Sequence, residues 1–501
     1  MATRSPASAI LTDLYQLTMA YAYWKSGTHA KEAVFHLYFR KHPFHSGFSV
    51  NCGLQDAVEF LKGFRFDPSD LEYLSSLRGS DGAPLFEAGF LDYLGGLRLS
   101  VDVDGIPEGT VVFPNEPLLR IQGPIIQGQL LETALLNILN FQTLIATKAA
   151  RICFAAKGDP VLEFGLRRAQ GTDGALAASR AAYIGGCAAT SNVLAGKLFG
   201  IPVRGTHAHS WVMSFESELE AFQAYAEALP NNCVFLVDTY DTLAGVHRAV
   251  EVGAWLRSQG HEMTGIRLDS GDLAYLSIEA RKILDAAGFA KAVIVASNDL
   301  DEQTIVSLRD QGAQINVWGV GTRLVTGYDQ PALGGVYKLS TVREPGGPWK
   351  HKVKLSEQAA KVSNPGIQQV RRFMKDGEYA GDLIYDLELG ISENPVIVDP
   401  FDPTRRKRTP EGATAQDLLV PILRRGRAVY ASPPIHELRD LAQRQLAAFH
   451  PGIKRFLNPH EYPVGLDARL LDLKTSLVMQ GRAKPEGEGI DGFPDSIRGS
   501  R

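Results

Sequence analysis

Between Val161 and Gly321 short apolar runs alternate with helix-length amphipathic stretches, and this alternation limits the possible folds more than any other feature of the sequence. The apolar runs are VLEFG (161–165), PVRGT (202–206), CVFLVD (233–238), TGIRLD (264–269), AVIVAS (292–297) and INVWGVG (315–321). Between them lie segments with helical patterning, among them SFESELEAFQAYAEAL and DLAYLSIEARKILDAAG. A tight hairpin joins only antiparallel strands, whereas parallel strands need a crossover of a dozen or more residues, so these strands are expected to run parallel. Six such units point to an irregular α/β barrel of parallel strands; a doubly wound open sheet satisfies the same alternation.

The flanking regions follow another rhythm. Residues 1–125 read as an N-terminal α+β domain, with an amphipathic helix near Asp13–Trp24 and strand-like runs AVFHLYFRK and TVVFPNEPLLRIQGP broken by Gly and Pro. The barrel domain is placed at 126–340 and opens on a helical pattern from Gly128 to Lys157 that puts Leu131, Leu135 and Ile138 on one face. Residues 341–480 lose the alternation, become rich in Lys, Arg and Pro, and read as a smaller C-terminal domain with LIYDLELG as a strand. Residues 481–501 are polar and rich in Gly and Pro, which predicts a disordered tail.

The chain has 45% hydrophobic and 22% charged residues, a globular composition, and a formal net charge of −4 that offers no general attraction to a polyanion. Small-molecule chemistry is therefore favoured over nucleic-acid binding. Cys52, Cys153, Cys187 and Cys233 lie far apart without CxxC spacing, against a thiolate zinc site or a disulfide framework, and a reducing cytoplasm fits. The first residues lack the apolar core of a signal peptide, and no stretch reaches the roughly 18 apolar residues of a spanning helix. Neither export nor membrane embedding is expected.

Ligands of parallel α/β folds bind beyond the carboxyl ends of the strands, so the residues after each run belong together. They are Arg167 and Arg168; Thr206, His207 and His209; Asp238 and Asp241; Asp269 and Asp272; Ser297, Asn298 and Asp299; then Gly321 and Thr322. Carboxylates that hold a metal through water, beside arginines and backbone amides that take phosphates, suit a phosphorylated, metal-bound substrate. In RLDSGDL, Asp269 and Asp272 flank a tight turn and are candidates for ribose hydroxyls or hydrated magnesium, although an aspartate at a helix start is first a cap. Gly319, Gly321 and Thr322 suit either a phosphate cradle or an ordinary glycine turn. His207 and His209 lack a third metal ligand of matching spacing. One of them, oriented by a carboxylate, suits a nucleophile or proton carrier, and a structural role is the alternative.

With LTDLYQLTMAYAYW, EFGLRRAQG, GTHAHS and RLDSGDL in that order, the chain resembles nicotinate phosphoribosyltransferases, of the type II phosphoribosyltransferases, along most of residues 10 to 365. The resemblance implies a cytoplasmic head-to-tail homodimer in which the N-terminal domain of one subunit completes the barrel site of the other. It implies that Tyr15 of the neighbouring subunit and Phe164 sandwich the pyridine ring, that Arg267 with Thr206 nearby meets the carboxylate, and that Arg167 lies toward the ring and ribose. His209 matches a phosphohistidine with Asp238 as its carboxylate partner. Asp269 and Thr322 match the phosphoribosyl pocket, and Arg40 and Lys361 match cations at the phosphate or pyrophosphate ends. Relatives that prefer nicotinamide carry an aspartate in a helix aligned with ATSN, where this chain has Ser191. A hydroxyl does not repel a carboxylate substrate, which favours the acid.

The implied reaction is displacement of pyrophosphate from phosphoribosyl pyrophosphate by nicotinate, with Mg²⁺, and with ATP as co-substrate phosphorylating His209. The rivals are the same transfer to nicotinamide or quinolinate; a barrel aldolase or isomerase, which needs a strand-end lysine that these runs lack; and a silent binding protein, which loss of the motif residues would favour.

Overall fold

A computed structural model of the chain describes residues 8–358 and 361–483. The alternating segment forms a six-stranded parallel sheet in the order Ala189–Thr190, Val161–Glu163, Val317–Val320, Val293–Ala296, Gly265–Leu268, Val234–Leu236. Its strand interiors are closed to water: Ile266, Leu268, Ile294, Ala296, Trp318 and Val320 are fully buried. Helices Thr242–Ser258 and Leu273–Ala286 cover them through Ala249, Val252, Leu256, Ala280 and Leu284 in one continuous apolar core. Spacings of three and four residues put those side chains on a single helical face.

Two details differ from the sequence reading. PVRGT does not form its own full strand; residues 202–204 make one parallel bridge, Thr190 with Val203, flanked by Thr190 N–H to Pro202 O (3.0 Å) and Arg204 N–H to Thr190 O (3.0 Å). ATSN is not helical either, because Ala189–Thr190 is a strand and Asn192 caps the next helix, Val193–Phe199, by accepting from Ala195 N–H. Backbone pairing therefore does not close the sheet into a barrel: between Val203 and the Val234–Leu236 strand the ladder is open.

A second, seven-stranded sheet has the order Lys350–His351, Gly335–Arg343, Glu32–Phe39, Leu119–Pro124, Asp102–Gly105, Val420–Arg424, Arg427–Ala428. The boundary read at 340 thus falls inside a strand that pairs antiparallel with Glu32–Phe39. The remaining C-terminal strands, including Gln368–Lys375 and Glu378–Asp386, form a third sheet of six. LIYDLELG leaves its strand at Asp386, whose carboxylate accepts from the N–H groups of Glu388 and Leu389 and turns the chain. Near the N-terminus the expected amphipathic helix is Leu14–Lys25, and the pattern from Gly128 resolves into Ile125–Leu130 and Glu132–Ala155. The last helix, Ala468–Ala483, takes in the start of the expected tail; the rest of that segment lies outside the described residues.

A buried ion pair ties the helix Gly171–Ile184 to the loop that follows the Asp102–Gly105 strand. Arg180 donates from Nη1 and Nη2 to the two carboxylate oxygens of Glu108 at 2.6 and 2.7 Å, and both residues are almost sealed from solvent. Removing one partner strands the other as an uncompensated buried charge, so Arg180→Ala is expected to destabilise the fold by about 3–5 kcal/mol, read as a lowered denaturation midpoint.

Candidate active site at the strand ends

Arg267, inside the Gly265–Leu268 strand, is the hub at which four strand ends meet. Its Nε donates to Ser297 Oγ (2.8 Å), Nη1 to Thr206 Oγ1 (3.0 Å) and Nη2 to Asp269 Oδ1 (3.1 Å). Its guanidinium carbon lies 5.9 Å from the centre of the Phe164 ring. Three of the five guanidinium N–H groups are used, which leaves one on each Nη for a ligand.

Phe164 is set by its strand and by a glycine. Its N–H bonds Val320 O at 2.8 Å, and a Cβ on Gly319 would sit 2.8 Å from two of its ring carbons. Beneath it Glu163, fully buried, accepts from Ser179 Oγ (2.8 Å), Thr190 Oγ1 (2.5 Å) and the Gly165 N–H. This carboxylate fixes the turn and was passed over in the sequence as part of an apolar strand; a charge inside such a run was the available signal. Gly319→Ala is expected to push the ring aside and raise the KM for a ring-bearing substrate by about tenfold, with kcat changed less, as steady-state kinetics would read.

On the opposite side, His209 begins the short helix His209–Met213 and is 40% exposed at its side chain. Its Nδ1 lies 3.1 Å from Thr239 Oγ1, and its Nε2 lies 3.8 Å from Asp269 Oδ2. Asp238, expected to be its partner, is engaged elsewhere: Asp238 Oδ2 accepts from the Asp269 N–H (3.1 Å) and from Ser270 Oγ. The second oxygen of Asp238 is buried without a hydrogen-bond partner. His207 is buried, and that burial pushes its imidazole down to about 4, so it is neutral at physiological pH.

Asp241 and Asp272 act as helix caps, accepting from Ala244 N–H (2.8 Å) and Tyr275 N–H (3.1 Å). Capping accounts for Asp272, which was also a candidate for a hydrated metal. Among the described residues no group of three or more His, Cys, Asp or Glu converges as a metal cage. Gly321 caps the short helix that Thr322 opens, and a Cβ there would crowd the Phe164 carbonyl at 3.1 Å, so Gly321 as well as Gly319 makes room for Phe164. Ser191 follows the Ala189–Thr190 strand, half-buried, with its N–H on Glu163 O (2.9 Å). Arg167 is exposed in the turn Leu166–Arg168.

Three expected residues are not among the groups that Arg267 binds. Tyr15 is 49% exposed on the first helix. Arg40 lines a separate cleft of about 1120 Å³ with Lys41, Arg151, Arg405, Arg406 and Lys407, and Lys361 is exposed. That cleft shares no lining residue with the Arg267 cluster.

The chain matches the nicotinate phosphoribosyltransferase N-terminal domain over residues 10–140, the nicotinate phosphoribosyltransferase family over 160–346 and the corresponding C-terminal domain over 367–474. It is 44% identical to the nicotinate phosphoribosyltransferase of Bacillus subtilis over 482 residues, covering 95% of this chain and 96% of that one. It is 36% identical to the human nicotinate phosphoribosyltransferase, covering 95% and 97%. The crystal structure of human nicotinic acid phosphoribosyltransferase superposes with a TM-score of 0.80 at 33% identity, covering 93% of this chain and all of that one. A nicotinate-nucleotide pyrophosphorylase from Pyrococcus furiosus shares the fold, with a TM-score of 0.67 at 24% identity over 88% of this chain and 95% of the other. With four strand ends gathered on Arg267 and its relatives matched almost end to end, the chain belongs to the nicotinate phosphoribosyltransferase family of enzymes.

Proposed function

We propose that the chain transfers the phosphoribosyl group of phosphoribosyl pyrophosphate to nicotinate, giving nicotinate mononucleotide and pyrophosphate in the biosynthesis and salvage of NAD. The observation that carries this reading is Arg267: it is held by three oxygen acceptors, keeps one N–H free on each Nη, and lies beside an aromatic face. That is the recognition set for a flat ring bearing a carboxylate. Ser191 in place of a carboxylate supports the acid over the amide.

In the reaction the pyridine nitrogen forms a bond to C1 of the ribose as the bond from C1 to the pyrophosphate oxygen breaks. Phe164 and Arg267 orient the ring so that this nitrogen faces C1, and holding both reactants in line supplies much of the acceleration. The sugar substrate arrives as its magnesium complex. Asp238, with a buried oxygen lacking a partner, and Asp269 fit such a complex through water, since magnesium keeps its waters and takes one or two carboxylates together with substrate oxygens. Thr322 would serve the phosphoribosyl pocket, and Arg167 the ring and ribose end.

ATP stimulation is part of the proposal: His209 takes the γ-phosphoryl group, ADP leaves, and later hydrolysis returns the imidazole. Its exposure and its place beside Asp269 support this role. We read the parallel sheet as an irregular barrel with a smaller C-terminal unit, and the active assembly as a cytoplasmic head-to-tail homodimer. The dimer is supported by the exposed apolar side chains Leu14, Tyr15 and Met19 on the first helix, with Leu11 exposed just before it, which a partner's barrel mouth would cover. Arg40 and Lys361 would then serve the partner's phosphate end. Four free cysteines support a reducing compartment, and among the described residues no helix is long and apolar enough to cross a membrane. An assay with nicotinate, phosphoribosyl pyrophosphate and magnesium, with and without ATP, tests the reading. Nicotinate mononucleotide is expected in both and more of it with ATP; no mononucleotide in either would refute it.

A further inference from the structure

The parallel sheet has one gap, and a side chain fills it. On one edge the chain leaves the Ala189–Thr190 strand after the Thr190 to Val203 bridge and runs on through Gly205 to His209. On the other edge, among the described residues, the Val234–Leu236 strand pairs only with Gly265–Leu268. The buried Leu236 N–H points across the gap and donates to His207 Nε2 at 3.2 Å. The imidazole is wedged against Tyr225, ring centres 4.8 Å apart, and Phe222, and its Nδ1 lies 3.4 Å from Ala208 O.

We propose that His207 is the positioning residue of this site: its imidazole stands in for the missing backbone rung and fixes the 205–209 segment against the Val234–Leu236 strand. The neighbours of His207 are what the site uses. Thr206, one residue before it, receives an Arg267 N–H, and His209, two residues after it, faces Asp269 and Thr239. A segment with a backbone ladder on one side only is free to shift, and a shift of about 1 Å in a positioning element costs as much as 10²-fold in rate. A buried N–H left without an acceptor adds its own penalty, so the link is favoured from both partners. His207 touches no reacting atom in this account; it acts through Thr206 and His209. The role in catalysis rests on the phosphoribosyl-transfer reading above, and the hydrogen bond itself does not.

The test compares the wild-type protein with His207→Phe, which keeps an apolar ring but no acceptor, and His207→Gln, which offers an amide oxygen near the position of Nε2. His207→Phe is expected to lower kcat about tenfold to a hundredfold, with a smaller rise in the KM for nicotinate, and His207→Gln to recover most of that loss. Exchange of the Leu236 amide is expected to speed up in His207→Phe and to stay slow in His207→Gln. In wild-type protein labelled with ¹⁵N-histidine, the His207 ring is expected to carry its proton on Nδ1 with Nε2 as acceptor. A kcat within about twofold of wild type in His207→Phe, a glutamine variant no better than phenylalanine, or a protonated Nε2 in the wild type would each overturn the proposal. The labelled wild type needs no variant to fold. Should the wild type make no mononucleotide, amide exchange and the tautomer still decide the positioning claim while the functional reading falls.

Discussion

Arg267→Ala is expected to lower kcat/KM for nicotinate by about 10²–10⁴-fold while the protein stays folded. The magnitude follows from two charge-assisted hydrogen bonds to a carboxylate, each about 1.5–3 kcal/mol, and about 1.4 kcal/mol for each factor of ten. The loss goes beyond the substrate. Asp269 Oδ1, Thr206 Oγ1 and Ser297 Oγ all receive N–H groups from this one guanidinium, so its removal also loosens the end of its own strand and two neighbouring segments. Arg267→Lys is expected to recover no more than about tenfold, because an ammonium is a point donor and cannot span three acceptors while presenting a fork to a fourth. Steady-state kinetics over nicotinate concentration, with a thermal midpoint as the fold control, would read both. A lysine variant close to wild type would show that charge alone suffices and that the fork geometry is irrelevant.

His209→Ala is expected to abolish stimulation by ATP, leaving activity with the nucleotide within about twofold of activity without it, and to abolish transfer of label from γ-labelled ATP to the protein. Persistent stimulation would remove His209 from the coupling role. The surroundings of the imidazole add a discriminating pair. Asp269 Oδ2 lies 3.8 Å from Nε2, while Asp238 is occupied with the Asp269 N–H and Ser270. Asp269→Asn is therefore expected to slow phosphorylation of the protein more than Asp238→Asn, the reverse of what family resemblance assigns. Of the two carboxylates, only that of Asp269 lies beside the His209 ring.

The parts of the fold that were legible from sequence are those with local periodicity. Five of the six apolar runs between Val161 and Gly321 are sheet strands, because a buried parallel strand must be apolar on both faces and a crossover must be helix-length. The strand Ala189–Thr190 has two residues, too few to show any period, and was read as helix. The partner of Glu32–Phe39 is a strand some three hundred residues away, and pairing across such a distance leaves no mark in either segment, so the 340 boundary cut through it. Within the site, the strand-end positions of Thr206, Asp269 and Ser297 were readable, since side chains after an apolar run must face the mouth. Their hydrogen-bond partners were not, because loop geometry decides between Asp238 and Asp269 at His209. Thr239 was missed for the same reason and Glu163 because it sits inside an apolar run, while the readings of His207 were ligand, nucleophile or proton carrier, and structural residue. Tyr15, Arg40 and Lys361 rested on resemblance alone.

The pyridine that the Arg267 fork selects decides the proposed reaction. The direct measurement is kcat/KM for nicotinate, nicotinamide and quinolinate with saturating phosphoribosyl pyrophosphate, magnesium and ATP, following pyrophosphate and the mononucleotide together. The expected result is one pyrophosphate and one nicotinate mononucleotide per nicotinate consumed, with the other two pyridines at least about 10²-fold poorer, the discrimination that unpaired buried polar groups impose. Nicotinamide used as well as nicotinate would contradict the carboxylate reading of Arg267 and the hydroxyl argument at Ser191 together, and quinolinate, which bears the same carboxylate and one more, used as well would contradict nicotinate as the substrate.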